Sequence, residues 1–216
     1  MRQPDTPPPT ALVVLNGDDV YEDMWTAATA LSDVLTDAGF VTRTCLGMAR
    51  FVDRVDLIVL YTALGELTAA QHDALDRSVR AGAGLIAVHS TNVDERLSDL
   101  IGSWYVGHGP LPHESRFTVE LDSDHEITAG IEPFDVTHEH YHIATAPDAH
   151  VIAWRTTRAG REPLVHVRAH GRGRVCYVQL GHDMRAWGEP AVRHLVHRAT
   201  RWAAPIHQAA HRGEGN

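Results

Sequence analysis

The stretch Gly84-Leu85-Ile86-Ala87-Val88-His89-Ser90 is an apolar run that ends in a histidine and a serine. A second apolar run, Val175-Cys176-Tyr177-Val178, leads through three further residues to His182-Asp183. Both runs are typical of buried strands that stop where polar residues begin. In an open α/β sheet, the carboxyl ends of parallel strands form the ligand crevice. We therefore expect the two segments to meet at one sheet edge, where metal ligands and acid–base groups are usually placed.

The flanking segments indicate an α/β fold. They predict strands at residues 11–15, 40–45, 56–61 and 84–88, which alternate with helices at 24–38, 68–79 and 92–100. Thr68 and Gln71 form a capping box for the second helix, and Asn92 with Glu95 is expected to cap the third. Near-continuous apolar strands that alternate with helices are typical of a parallel sheet covered on both faces.

The second half of the chain has closely spaced strands instead. They are predicted at residues 117–121, 151–154, 163–167 and 175–180, and a last helix is predicted from Pro190 to Trp202. This spacing favours an antiparallel extension of a mainly parallel sheet. We expect one domain over residues 11–203, with residues 1–10 and 204–216 as disordered tails.

Composition narrows the class of protein. The chain of 216 residues carries a net charge of −9, which does not favour binding to nucleic acid or anionic lipid. It has no apolar run of membrane-spanning length, and its first nine residues lack the apolar core of a signal peptide. A cytoplasmic protein with a small-molecule ligand is expected, with its oligomeric state open. Cys45 and Cys176 are expected to be free, buried thiols.

Several common catalytic motifs are absent. The chain has no G-x-G-x-x-G, no phosphate-binding P-loop, no G-x-S-x-G and no C-x-x-C. Histidine is instead abundant, with 16 residues. Seven of them are each expected to be surface groups rather than metal ligands, namely His113, His125, His138, His140, His142, His166 and His170.

Six segments in order resemble the ThuA-like, or trehalose-utilisation, family over about residues 11–203. They are Thr68-x-x-Gln71 with residues 82–90, Gly102-x-x-Tyr105-x-Gly107-His108, Asp124-His125-x-Ile127-Thr128-x-Gly130-Ile131, Glu139-x-Tyr141, Gly171-Arg172-Gly173-Arg174-Val175, and Leu180-Gly181-His182-Asp183. Two positions depart from that pattern. His138 stands where the family usually has aspartate, and His166 stands where it often has tryptophan.

The resemblance implies a flavodoxin-like fold, similar to class I glutamine amidotransferases, with a three-layer sandwich around the sheet. Those fold relatives place a nucleophilic cysteine on the turn after the strand equivalent to residues 84–88. Here the turn holds His89 and Ser90, so amidotransferase chemistry by a Cys–His–Glu triad is excluded. The resemblance also implies a carbohydrate or an oxidised sugar derivative as the ligand.

Three groups of residues are the candidates for function. The expected catalytic residues are His89, Glu139 and His182, and the expected substrate-binding residues are His108, Tyr141, Asp183 and Asp18. His89 and His182 are also candidate ligands of a divalent metal such as zinc, because imidazoles with a carboxylate are typical of catalytic zinc sites. His108 is expected in a glycine-rich loop at residues 102–109 that folds over the crevice.

The reaction type stays open at this point. Hydrolysis by metal-activated water and proton abstraction next to a carbonyl both fit these residues. The main alternative is a binding or regulatory module that holds a sugar without turnover, since the fold relatives' nucleophile is absent. A flavin-binding protein is a third reading.

Overall fold

The computed structural model describes residues 7–17, 22–47, 54–63, 67–109 and 111–204. Its elements, in chain order, are β1 (Thr10–Gly17), α1 (Met24–Asp37), β2 (Val41–Leu46), β3 (Leu57–Ala63), α2 (Ala69–Arg80), β4 (Gly84–Val88), α3 (Glu95–Ile101), β5 (Ser103–His108), β6 (Glu114–Leu121), β7 (Phe134–Glu139), β8 (Tyr141–Thr145), β9 (His150–Thr157), β10 (Gly160–His170), β11 (Gly173–Val178), α4 (Met184–Trp187) and α5 (Pro190–Ala203). A 3₁₀ turn at His89–Val93 follows β4.

Nine strands form one mixed sheet in the order β2-β1-β3-β4-β11-β10-β9-β6-β7. The first five strands are parallel. From β11 to β7 each strand is antiparallel to its neighbour. The predicted α/β sheet with an antiparallel extension is confirmed. Since β4 and β11 are adjacent and parallel, their carboxyl ends lie side by side.

Strand β3 shows why the sheet is buried. Leu57, Val59 and Tyr61 belong to an apolar cluster with α1 and α5 residues, whereas Ile58 and Leu60 belong to a second cluster with α2 and α3 residues. Alternate residues of a strand point to opposite faces, so an all-apolar strand needs cover on both. Helices supply this cover on the two sides of β3.

The capping prediction is confirmed for α2 and wrong for α3. Thr68 and Gln71 form the capping box. Helix α3 is capped by Asp94, whose Oδ1 accepts a hydrogen bond from the Arg96 amide at 3.0 Å. Asn92 lies inside the 3₁₀ turn with a buried side chain, and its Nδ2 donates to Ser103 Oγ at 3.1 Å. The tertiary contact of Asn92 therefore outweighs its local capping preference.

The glycine-rich loop expected at residues 102–109 is a strand instead. Strand β5 pairs with β8 in a separate two-stranded sheet, with a register shift between Tyr105 and Gly107. A bulge of this kind lets a strand accommodate glycine. In the sequence alone, the same glycines favoured a loop. His108 is thus held at the end of a strand.

Two further observations concern the sequence expectations. Cys176 is buried, Cys45 is partly buried, and the two thiols form no disulfide. None of the helices in the described part of the chain is long and apolar enough to cross a membrane.

Candidate functional site

His89 occupies the turn directly after β4. Its φ of 46° lies in the left-handed region, and its side chain has no exposed surface. Residues other than glycine adopt this conformation rarely, and they often do so at functional sites. The carbonyl oxygen of His89 accepts the Tyr177 hydroxyl at 2.9 Å, which ties the turn to β11.

The hydrogen-bond partner of one His89 ring nitrogen determines where a ring proton lies. Nδ1 lies 2.8 Å from the carbonyl oxygen of Gln179, and a carbonyl only accepts, so Nδ1 carries a proton. Nε2 therefore faces the crevice. It lies 3.2 Å from Glu139 Oε2, 3.6 Å from Glu22 Oε1 and 3.2 Å from His182 Nδ1.

The structure thus brings His89, His182 and Glu139 into one cluster. Glu139 Oε2 is also 3.4 Å from His182 Nδ1, so the three side chains contact each other in pairs. His182 lies four residues beyond the end of β11, and its Nε2 is 3.9 Å from Glu114 Oε1. The juxtaposition follows from the parallel pairing of β4 with β11.

The carboxylates control the charge of the cluster. Burial disfavours the charged form of His89, but the nearby Glu22 and Glu139 carboxylates outweigh burial and raise the pKa of His89. Burial likewise opposes ionisation of Glu139, yet its hydrogen bond with His89 and the charges of His89, His182 and His108 lower its pKa to about 2. Glu139 therefore stays ionised at neutral pH.

Tyr141 packs on the cluster from one side, and His108 forms its wall nearer the solvent. The Tyr141 ring stacks on the His89 ring, with centroids 4.5 Å apart and planes 17° from parallel. His108 Nε2 lies 3.0 Å from Glu139 Oε1, and the His108 side chain is 41% exposed. Exposure falls to 13% for the Glu139 side chain and to 3% for Glu22. The cluster thus opens on the His108 side.

Glu22, His89 and His182 can hold a metal ion, because one ligand atom of each lies within 4.8 Å of the other two. Glu22 is the carboxylate that the sequence interpretation missed. It precedes α1, and the Tyr61 hydroxyl donates to its Oε2. Asp18, between the first strand and the first helix, was named as a candidate from the sequence, but this assignment was not extended to Glu22.

Comparison with known proteins agrees with this fold. The family model of ThuA, described as trehalose utilisation, matches residues 11–203. The chain belongs to the ThuA family. No curated protein sequence matches it.

Solved structures show the same fold at low sequence identity. A ThuA-like protein from Parabacteroides merdae is 15% identical, with a TM-score of 0.72 over 90% of each chain. A ThuA-like protein from Bacteroides uniformis is 16% identical, with a TM-score of 0.74 over 94% of each chain. A β-galactosidase from Bacillus circulans sp. alkalophilus is 13% identical, with a TM-score of 0.64 over 92% of this chain and 32% of its own.

His138 was wrongly expected at the surface of this ThuA-family protein. It is 1% exposed at the end of β7, and burial beside His89 lowers its pKa to about 3. The surface expectation was also wrong for three others, since the exposed fractions are 8% for His140, 0% for His166 and 8% for His170. The sequence pattern did not reveal that these histidines are buried, because the groups they contact are distant in the chain.

The two aspartates expected to bind substrate have different outcomes. Asp183 caps α4, with Oδ1 2.8 Å from the Arg185 amide and Oδ2 2.8 Å from Arg185 Nε. Its carboxylate therefore has structural partners, although it also lies close to His182 and Glu114. Asp18 lies outside the described residues.

Proposed function

We propose that this ThuA-family protein is an enzyme that transforms a carbohydrate or an oxidised sugar derivative with the help of a bound divalent cation. Glu22, His89 and His182 are the proposed cation ligands, and Glu139 is the proposed proton-transfer group. One observation carries the proposal: Nε2 of a buried imidazole, whose Nδ1 is bonded to a carbonyl oxygen, faces two carboxylates.

The charges of the cluster favour a cation at this point. With Nδ1 of His89 bonded to Gln179, a neutral ring would turn its Nε2 lone pair toward Glu139 and Glu22. Buried carboxylates without a positive partner are costly, so either a proton on Nε2 or a metal ion must compensate. Two carboxylates with neutral imidazoles carry two negative charges, which a divalent cation balances.

The spacing of the ligand atoms also fits a metal ion. Ligands about 2.0–2.2 Å from a tetrahedral zinc lie roughly 3.3–3.6 Å from one another. Here His89 Nε2 is 3.2 Å from His182 Nδ1 and 3.6 Å from Glu22 Oε1. Two histidines and one carboxylate form a common catalytic zinc set. A cation bound there supplies Lewis acidity, which polarises a carbonyl oxygen or lowers the pKa of water.

The surrounding side chains suit a polar substrate. Glu139 is partly accessible, and we propose that its carboxylate accepts a proton from water or from a carbon next to a carbonyl. His108 is proposed to bind the substrate at the open side, with Tyr141 contributing its hydroxyl group. Both reactions remain within the proposal, because each needs a cation beside a proton acceptor.

The comparisons support the substrate class. The family is described by trehalose utilisation, and a β-galactosidase contains a region of the same fold. We also infer a cytoplasmic location, in agreement with the acidic chain and the lack of a spanning helix among the described residues. The helices that pack on the two sides of β3 support the interpretation of the fold as a three-layer sandwich.

Cation titration and a sugar panel test this function. Isothermal titration of metal-free protein with Zn²⁺ should show one site, which His89→Ala and Glu22→Gln should weaken by more than the 10–100-fold typical of residues that only support a ligand. His150→Ala is the control, because its side chain is 59% exposed and pairs with Asp122 elsewhere.

The same preparations should be incubated with disaccharides, glycosides and their oxidised derivatives. Turnover that requires the cation supports the enzyme. Ligand-induced thermal stabilisation without any turnover would favour the binding module, and absence of both cation binding and sugar binding would contradict the proposal.

A further inference from the structure

The His138 side chain connects the catalytic cluster to the backbone around His182. Its Nε2 accepts hydrogen bonds from the Gly181 amide at 2.9 Å and the His182 amide at 3.1 Å. Its Nδ1 lies 2.8 Å from the carbonyl oxygen of Glu139. His138 therefore contacts the backbone of two residues proposed to act in the site.

These partners determine where the proton of His138 resides. Two amide N–H groups can only donate, so Nε2 is the acceptor, and the carbonyl of Glu139 requires a proton on Nδ1. The ring is thus a neutral imidazole with both nitrogens engaged. A doubly protonated ring would turn an N–H toward two other N–H groups, so it does not fit this pocket.

The Gly181 peptide is held from its other side as well. Its carbonyl oxygen accepts Trp187 Nε1 at 3.0 Å and lies 2.9 Å from the Tyr61 hydroxyl, which it shares with Glu22. A Cβ at this position would lie 2.8 Å from Val88 Cγ1, so glycine is needed for the close approach. The backbone that leads into His182 therefore has a closely defined position.

We propose that His138 is a positioning residue, which holds His182 beside His89 by accepting the two amides and adds no negative charge to the cluster. A glutamate, whose carboxylate reaches about as far from Cβ as Nε2 of histidine, could accept the same amides. It would place a third carboxylate next to Glu22 and Glu139. Histidine performs the same positioning in a site whose two carboxylates already balance a divalent cation, so this inference rests on the proposed function.

Substitutions of His138 separate hydrogen bonding from charge. His138→Gln keeps a neutral acceptor at the distance of Nε2, His138→Glu keeps an acceptor at that distance and adds charge, and His138→Leu removes the acceptor. Co²⁺ is the probe, because its visible absorption reports coordination geometry as well as affinity. His166→Leu is the matched control: His166 is also fully buried, and its ring contacts the carbonyl oxygen of Ile101 at 3.2 Å and the Tyr177 ring rather than the side chains of the cluster.

We expect Co²⁺ affinity to fall only when the side chain at position 138 can no longer accept the two amide hydrogen bonds. His138→Leu should weaken Co²⁺ binding about 10–100-fold and change the spectrum, as is typical when a residue that orients a ligand is removed. His138→Gln should retain most of the affinity, and His138→Glu should bind Co²⁺ at least as tightly as the wild type. His166→Leu should lower the melting temperature without altering the spectrum.

A second readout needs no cation. In the metal-free protein, the Gly181 and His182 amides should show downfield proton shifts and protection from hydrogen exchange, and the His89 and His182 rings should show mutual NOEs. His138→Leu should abolish these signals and His166→Leu should not. If His138→Leu leaves them unchanged, the positioning role is overturned. If the wild type does not bind Co²⁺ but its NMR signals depend on His138 as expected, the proposed cation function fails and the positioning role still holds.

Discussion

The carbonyl oxygen of Gln179 lies 2.8 Å from Nδ1 of His89, and this contact decides which nitrogen of the ring faces the crevice. Gln179 is itself fixed, because its side chain is buried and its Nε2 donates to the Tyr141 carbonyl at 3.0 Å. The same segment continues to His182. The short segment 179–182 therefore fixes the orientation of the His89 ring through Gln179 and places His182 beside its Nε2.

The Glu139 carboxylate is expected to act in proton transfer without being needed for cation binding. Glu139→Gln should lower turnover about 10²–10⁴-fold, the usual contribution of a general acid or base. The Zn²⁺ affinity should fall less than it does in Glu22→Gln, since the three ligands Glu22, His89 and His182 remain and only a neighbouring charge is lost. Turnover is measured with the sugar that the panel identifies. Glu132→Gln, at an exposed position, is the control, and equal losses in both variants would refute the role.

Stability in acid should depend on His166. Burial lowers the pKa of His166 to about 4, below its ordinary value of 6.5. The folded state thus favours the neutral ring, so this contribution is complete above pH 6.5 and is lost as the pH falls toward 4. A shift of that size corresponds to about 3 kcal/mol at full loss.

His166→Phe should flatten this dependence. Urea unfolding at pH 7.5 and pH 4.5 measures the effect, and the wild type should lose more unfolding free energy than the variant. Chelator is present throughout, so that cation binding does not contribute. An equal loss in the two proteins would show that His166 titrates normally.

Asp183 is expected to stabilise α4 through its side-chain cap. Asp183→Ala should cost about 1 kcal/mol of unfolding free energy, the usual value for an N-cap, and should leave Zn²⁺ affinity nearly unchanged. Asp94→Ala removes a comparable cap from α3 and is the matched variant. If Asp183→Ala instead weakens sugar binding while Asp94→Ala does not, Asp183 has the substrate-binding role predicted from the sequence.

Gly84 should tolerate no side chain. A Cβ there would lie 2.5 Å from the Ala203 carbonyl oxygen and 2.9 Å from Leu57 Cδ1. Moving a backbone atom of α5 requires the helix to shift. Gly84→Ala should therefore destabilise the protein by about 1–3 kcal/mol or more, the usual cost of overpacking. Gly39→Ala is the comparison, since that position has a positive φ but no atom within 4 Å of a Cβ. Thermal unfolding should show the larger loss at Gly84.

Much of the fold was predictable because its signals are local. The apolar runs that became β1, β3, β4 and β11 are continuous, and the capping box of α2 lies within four residues. Strand β5 was not predictable in this way. Its glycines favoured a loop, and only pairing with β8, more than thirty residues away, makes it a strand.

The histidine content illustrates the limit of sequence reasoning about burial. His138 and His166 have no apolar periodicity of their own that marks them as internal. Each has a ring nitrogen paired with a distant backbone group, namely the Gly181 and His182 amides for His138 and the Ile101 carbonyl for His166. Buried polar groups are mostly paired in this way, and partners of this kind are not encoded nearby.

The sequence by itself determined that His89 and His182 follow buried strands, and that no cysteine stands on the turn after β4. Periodic burial and residue identity are local properties, so they are readable in one chain. Only the tertiary structure decided that the two rings touch, that Glu22 joins them from the segment before α1, and that His138 holds the backbone of His182. Those relations depend on which strands are neighbours and on which buried donors and acceptors must be paired.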